Sequence, residues 1–154
     1  MPRADWIRAA SDYDISINVV DPLLIASQSR ASWDAFRPVE RALASVWALH
    51  AIACRNGLSS FVAEEQPWIS SGVATAARDL DLDGVADGWE ASTRGMDLAK
   101  WRGGNPGDVQ WGNSAAREAL EHELVAGRFA EMTSILASWI REHAEEFARM
   151  ESLA

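Results

Sequence analysis

At 154 residues with 48 % hydrophobic side chains, the chain has one domain's length and enough apolar surface for a core, which argues against a disordered polymer. A net charge of −9 and a pI of about 4.7 argue against direct binding to nucleic acid or to an anionic membrane, because phosphate contacts need a basic patch. The single cysteine, Cys54, rules out an intramolecular disulfide.

Apolar periodicity predicts helices along the whole chain. Trp6, Ile7, Ala10, Ile15 and Val19 recur nearer four than two, giving short N-terminal helices, although Ile15, Ile17 and Val19 also alternate as a strand would. Asp21-Pro22 reads as an N-cap followed by a first-turn proline, with Leu23 to Ser27 as the next helix. Pro38 opens a helix whose stripe is Val39, Leu43, Val46, Trp47, His50 and Cys54. Alanines and Ile52 make the rest of its circumference apolar too, so it is expected to be the buried centre of the fold. Asn56-Gly57 ends it, since glycine tolerates a left-handed cap.

A short helix is expected from Leu58 to Glu65, stopped by Pro67. Ile69, Val73, Ala76 or Ala77 and Leu80 mark one further helix, and Val85 and Trp89 the next. Gly95 to Gly112 is the clear loop, centred on Arg102-Gly103-Gly104-Asn105-Pro106-Gly107-Asp108. Asn113 caps a helix carrying Ala116, Leu120 and Leu124, and Gly127 breaks it. The last helix runs through Phe129, Met132, Ile135, Leu136, Trp139, Ile140, His143, Phe147 and Met150.

The expectation is all-α: a compact single-domain bundle of six to eight helices around a buried central helix. Residues 1–30 form an N-terminal helical arm packed on the core, and residues 31–154 the main helical domain. The N-terminus carries Arg3, Asp5 and Arg8 with no apolar core, so no leader is visible. The apolar run from Ala42 to Cys54 is too short to span a bilayer. With Cys54 in an apolar stretch, a reducing, cytoplasmic setting is expected.

Charge is distributed unevenly. Residues 1–58 hold six acids and six bases. Residues 59–92 hold Glu64, Glu65, Asp79, Asp81, Asp83, Asp87 and Glu90 against Arg78 alone. Solubility does not require such a concentration. These seven carboxylates are the candidate partner-binding face.

Asp79, Asp81, Asp83, Gly84 and Glu90 also have the spacing of a calcium-binding helix-loop-helix loop, with Asp87 at the ninth position. The flanks fit poorly, with Arg78 before the loop, Ala86 at the eighth position, and Leu80 and Leu82 where such a loop faces water. His50 and Cys54, four apart, can touch, but they lie on the apolar stripe, so a packed thiol beside a satisfied imidazole is the expectation. The glycine-rich segment lacks the residues of a phosphate loop. Glu118, Glu121, Glu123, Glu142, Glu145 and Glu146 read as solvated helix faces, partly screened by Arg117, Arg141 and Arg149. No zinc helix, nucleophile elbow or spaced metal set is present, so neither catalysis nor a cofactor is expected. A pocket around Trp47, His50 and the Gly103 loop is the site an enzyme or small-molecule binder would use.

On Asn56-Gly57-Leu58, Phe61, the Ala76-Ala77 helix with Leu80 and Leu82, and the Val85 to Ala91 helix, the stretch from Val39 to Ser92 resembles a bacterial family. That family is named for the C-terminal domain of a DNA-mimic protein. The closing segment from Ile135 to Phe147 resembles the family's last helix. The chain departs from the family pattern in two places: Leu58 stands where a second glycine and an aromatic are usual, and Ala53 where the family has glutamate. The resemblance implies a helical domain, and for its namesake a surface of carboxylates that occupies a transcription factor's DNA site.

The expected function is therefore a non-enzymatic, acidic protein-binding domain whose partner is a basic protein, a DNA-binding regulator being one such partner. The alternatives are an immunity or antitoxin-type inhibitor of a basic toxin, and the calcium module on Asp79, Asp81, Asp83 and Glu90. Eight tryptophans leave a homodimer open.

Overall fold

A computed structural model describes residues 3–126 and 131–148. It is helical throughout, and among the described residues there is no strand. The elements are α1 (Ala4–Ala9), α2 (Asp12–Ile15), a π-helical turn (Ser16–Val20), α3 (Asp21–Ser27), α4 (Arg30–Ala35), α5 (Pro38–Asn56), α6 (Leu58–Glu64) and α7 (Pro67–Ser70). Then come α8 (Val73–Asp79), α9 (Asp83–Thr93), α10 (Leu98–Trp101), a 3-10 turn (Pro106–Asp108), α11 (Ser114–Ala126), α12 (Met132–Glu142) and α13 (Ala144–Phe147). Among these thirteen α-segments, α3, α5, α6, α8, α9, α11 and α12 have seven residues or more, and the others are shorter.

The centre is α5, which packs against α3, α6, α7, α8, α11 and α12. Ala42, Leu43, Ala44, Val46, Ala48, Leu49 and Ala53 are buried on it, so its small residues let neighbours approach on several sides. Trp47, His50 and Cys54, at one edge of the predicted stripe, are only half-buried. Glu40 is buried near the start of α5, where its Oε1 accepts from the Arg37 backbone N–H (3.4 Å) and Nε (2.7 Å), a capping arrangement. Residues 3–27 do not stand apart: Ile7, Ile15, Val19, Val20 and Leu23 belong to the same core cluster as Leu43 and Leu49.

Several boundaries differ from expectation. Asp21 is no N-cap: its φ of −58° and ψ of −47° are helical, and α2, the π turn and α3 are continuous from Asp12 to Ser27. The inward residues Ile15, Val19, Leu23 and Ser27 repeat every four positions. In an α-helix each four-residue step overshoots a full turn by about 40°, and the wider π turn removes that drift. It also lies just before Pro22, which has no N–H for the helix ladder.

The helix expected over Ile69 to Leu80 is two, cornered at Gly72. A Cβ there would meet Ser45 Oγ at 2.9 Å, and Ser45 donates to the Ile69 carbonyl at 2.9 Å, so the corner sits directly on α5. The expected last helix breaks at His143 (φ −108°, ψ 26°) into α12 and α13. Its ends at Phe129 and Met150, and the break at Gly127, lie outside the described residues. The Gly95–Gly112 loop carries α10 and the 3-10 turn and is tied down by Gly103 N–H to the Ala63 carbonyl at 2.8 Å. Among the described residues no helix is long and apolar enough to cross a membrane.

Candidate interaction surface

The turn between α8 and α9 concentrates the acidic residues. α8 buries Val73, Ala76 and Ala77, and α9 buries Val85, Ala86, Trp89 and Ser92, so the two helices pack with their charged positions outward. The α8 C-terminus closes with two backbone bonds. Leu82 N–H reaches the Ala77 carbonyl at 2.8 Å and Asp81 N–H the Arg78 carbonyl at 3.0 Å, the pattern of a Schellman cap. Its left-handed residue is Asp81, at φ 58°, not Gly84, which lies within α9. Leu80 and Leu82 flank Asp81 and are both buried. This alternation of anchored leucines and a free aspartate holds Asp79, Asp81 and Asp83 out in solvent.

The seven candidate acids therefore divide. Asp79, Asp81 and Asp83 share this turn, are exposed, and make no ion pair among the described residues. Asp87 and Glu90 lie further along α9 and both accept from Arg78 Nη2, at 2.9 and 2.8 Å. The bond to Glu90 first, then that to Asp87, holds the Arg78 guanidinium still more firmly protonated than usual. Glu64 is exposed on α6, away from the turn. Glu65 does not belong to an acidic face: it is 7 % exposed, and its Oε1 accepts from Gln28 Nε2 (3.0 Å) and Gln66 N–H (2.9 Å), joining the end of α6 to the chain after α3.

The calcium geometry is not formed. Asp83 to Thr93 is continuous helix where a twelve-residue loop would have to wrap an ion, and Glu90, which would close the site, is engaged by Arg78. Among the described residues no cluster of three or more His, Cys, Asp or Glu side chains is placed to hold a metal.

Three grooves reach the acidic turn, one of them, about 270 Å³, lined by Pro38, Val39, Asp79, Trp139, His143 and Glu146. The largest, about 380 Å³, lies between α4, α5, α7 and α8; Trp33, Trp68 and Ala76 line it, with Arg41, Thr75 and Asp79 among its polar residues. Arg41 is engaged there by the Trp33 and Asp34 carbonyls, at 3.1 and 3.2 Å. The second groove, about 280 Å³, runs along α12 and is lined by Leu80, Asp81, Ile135, Trp139 and Glu142. Sequence reading marked Asp79 and Asp81 but missed Trp33, Trp68 and Trp139 as groove walls. The signal was present only as an excess of tryptophan.

The other candidates resolve into structural roles. Cys54 Sγ lies 3.5 Å from His50 Nδ1 and 3.7 Å from the Leu124 carbonyl. Burial pushes the thiol pKa up and the imidazole pKa down, so neither group favours its charged form and no thiolate–imidazolium pair is set up. None of the three grooves at the turn is lined by Trp47, His50 or Gly103, and Gly103 is held against α6.

The residues on which the family resemblance was drawn are also structural. Gly57 (φ 86°) ends α5, Leu58 and Phe61 are buried, Asn56 is exposed, and Phe61 stacks edge-on against Trp89 with centroids 5.6 Å apart. Glu121 is not a solvated residue as expected. Its Oε1 accepts the Leu58 N–H at 2.9 Å and its Oε2 pairs with Arg117 at 2.9 Å. Comparison with family models, with curated proteins and with solved structures returns no match for this chain.

Proposed function

We propose that this chain is a non-enzymatic binder of basic proteins that docks through the α8–α9 turn. The observation that carries the reading is the trio Asp79, Asp81 and Asp83, exposed and unneutralised on one turn whose flanking leucines are buried. Around it the carboxylates of Asp87 and Glu90 are offset by Arg78 alone. Grooves walled by tryptophan open on either side of the turn, so a partner's cations and its apolar side chains have adjacent places to go. A DNA-binding regulator is the finer proposal, the aspartates standing where its phosphate contacts would fall.

The test is capture of partners from the native host by immobilised protein, eluted across a salt gradient. A second column carries the triple variant Asp79→Asn, Asp81→Asn, Asp83→Asn. The expected result is a basic protein retained at low salt, released as salt rises, and retained roughly tenfold less well by the variant, in line with loss of charge pairing at an interface. Equal retention by the variant, or retention indifferent to salt, would overturn the reading.

A further inference from the structure

We propose that the groove between α4, α5, α7 and α8 binds a small zwitterion: an amino acid or short peptide with a free ammonium, a free carboxylate and an apolar side chain. Its volume, about 380 Å³, is in the range of small-molecule sites. The hollow exists because the facing residues of α5 and α8 are small. Ala42 and Ala76 line it, and Gly72 turns the corner where a Cβ would meet Ser45. Trp33 and Trp68 give it aromatic walls for an apolar side chain. Both walls are fixed, Trp33 by burial and Trp68 by its Nε1–H on the Ser27 carbonyl at 2.9 Å.

The charged residues lining the groove are Arg41 and Asp79, and they do not pair with each other. Among the described residues neither makes an ion pair elsewhere. Arg41 Nε donates to the Trp33 carbonyl at 3.1 Å and Nη2 to the Asp34 carbonyl at 3.2 Å, and the guanidinium lies over the Trp33 ring, 5.6 Å from its centroid. These contacts hold the group still without neutralising it. They use one edge of a planar group with five N–H donors, which leaves Nη1 and the second Nη2 N–H for a carboxylate. Arg30 differs: it lies over Trp68 but is paired with Asp34 at 3.1 Å. The groove therefore has a fixed cation on one wall and a free carboxylate at the end of α8. A simple anion would meet Asp79 and a simple cation would meet Arg41, whereas a zwitterion satisfies both. A ligand of zero net charge is also indifferent to the −9 of the chain. Neither Asp81 nor Asp83 lines this groove, so the site does not depend on what docks at the α8–α9 turn.

Titration calorimetry of the full chain at neutral pH tests this with L-phenylalanine, phenylalanylglycine and phenylalanylglycylglycine. The three carry the two charges at increasing separation and distinguish an amino acid from a peptide ligand. The expected result is saturable one-to-one binding of at least one of them. Its N-acetyl form and its amide, each lacking one charge, should bind at least about tenfold more weakly. Asp79→Asn should weaken the zwitterion by a similar factor yet leave the N-acetyl form unaffected, because the ammonium that Asp79 would meet is already gone. Arg41→Gln should behave in the same way toward the amide. Arg41 is half-buried, so its variant is read beside its melting curve, while the blocked ligands need no substitution. Asp81→Asn, outside the groove, should leave binding unchanged. No saturable binding of any of the three up to about 10 mM, equal binding of the blocked forms, or indifference to Asp79→Asn would each overturn the proposal. None of these outcomes alters the salt-dependent capture of a basic protein expected of the turn.

Discussion

Glu121 ties α11 to the start of α6, its Oε1 accepting the Leu58 N–H and its Oε2 pairing with Arg117. It lies among other glutamates on α11, and its four-residue spacing from Arg117 was visible as an ion pair. Its second partner was not, because the Leu58 N–H it accepts belongs to an element 63 positions away. Gly57 supplies α6 with no side chain to cap its first turn, so a carboxylate from another helix takes that role. Glu121→Ala should therefore cost about 1–2 kcal/mol, the range for a lost helix cap and a part-buried donor left unpaired. Glu121→Gln, which keeps an acceptor for Leu58, should cost less. Urea unfolding reads both as a lower midpoint at constant slope. A silent alanine variant would mean that water caps α6 equally well. Glu65 was misjudged for the same reason: its distant partner, Gln28, left no local trace.

Elements were legible where their signals are local. Pro38 and Gly57 bound α5, and Asn113 caps α11 through Oδ1 and the Ala116 N–H at 3.0 Å. They were illegible where packing decides. Asp21-Pro22 has the composition of a helix start, yet the core needs an unbroken four-residue repeat through it, and a π turn supplies one. The α8–α9 turn is an intermediate case. Leu80 and Leu82 could be recognised as buried, which told against a calcium loop, but nothing local marked Asp81 as the residue in left-handed conformation. Aspartate and asparagine tolerate that region better than other non-glycine residues, and β-branched side chains do so worst. Asp81→Val should thus destabilise the fold by about 1–2 kcal/mol, while Asp81→Asn should be nearly neutral. Thermal melts of the two variants separate the backbone requirement from the charge. Were valine tolerated as well as asparagine, the Schellman cap would not be constraining this turn. The asparagine result also bears on binding, because a charge-removal variant is informative only if the turn keeps its shape.

At the scale of the molecule, the division between an N-terminal arm and a main domain has consequences for unfolding. Composition encouraged that division: the first 30 residues hold short apolar repeats and two prolines, while the long central helix begins at Pro38. In the structure α1 packs on α12 and α13, α2 on α12, and α3 on α5, so the two ends of the chain and its middle meet in one core. Ile15 is 1 % exposed and Leu43 is 0 % exposed within the same cluster. Polar contacts run the same way, Arg141 Nη2 reaching Asp12 Oδ1 at 2.6 Å and the Ala10 carbonyl at 2.8 Å. An element that shares its buried surface with the rest cannot melt ahead of it without opening a cavity in the remainder. Ile15→Ala and Leu43→Ala should each cost about 2–5 kcal/mol, the usual range for truncating a buried aliphatic side chain. Both should shift one and the same cooperative transition, with an unchanged denaturant slope. Were residues 3–27 a separable arm, Ile15→Ala would instead produce an early, shallow transition and leave the main one in place. Following tryptophan fluorescence and helical circular dichroism together distinguishes the cases, since Trp6 lies in the N-terminal segment and Trp33, Trp89 and Trp139 report on the rest. Coincident curves for parent and variants would establish that residues 3–27 are anchored by the same core that supports the acidic turn.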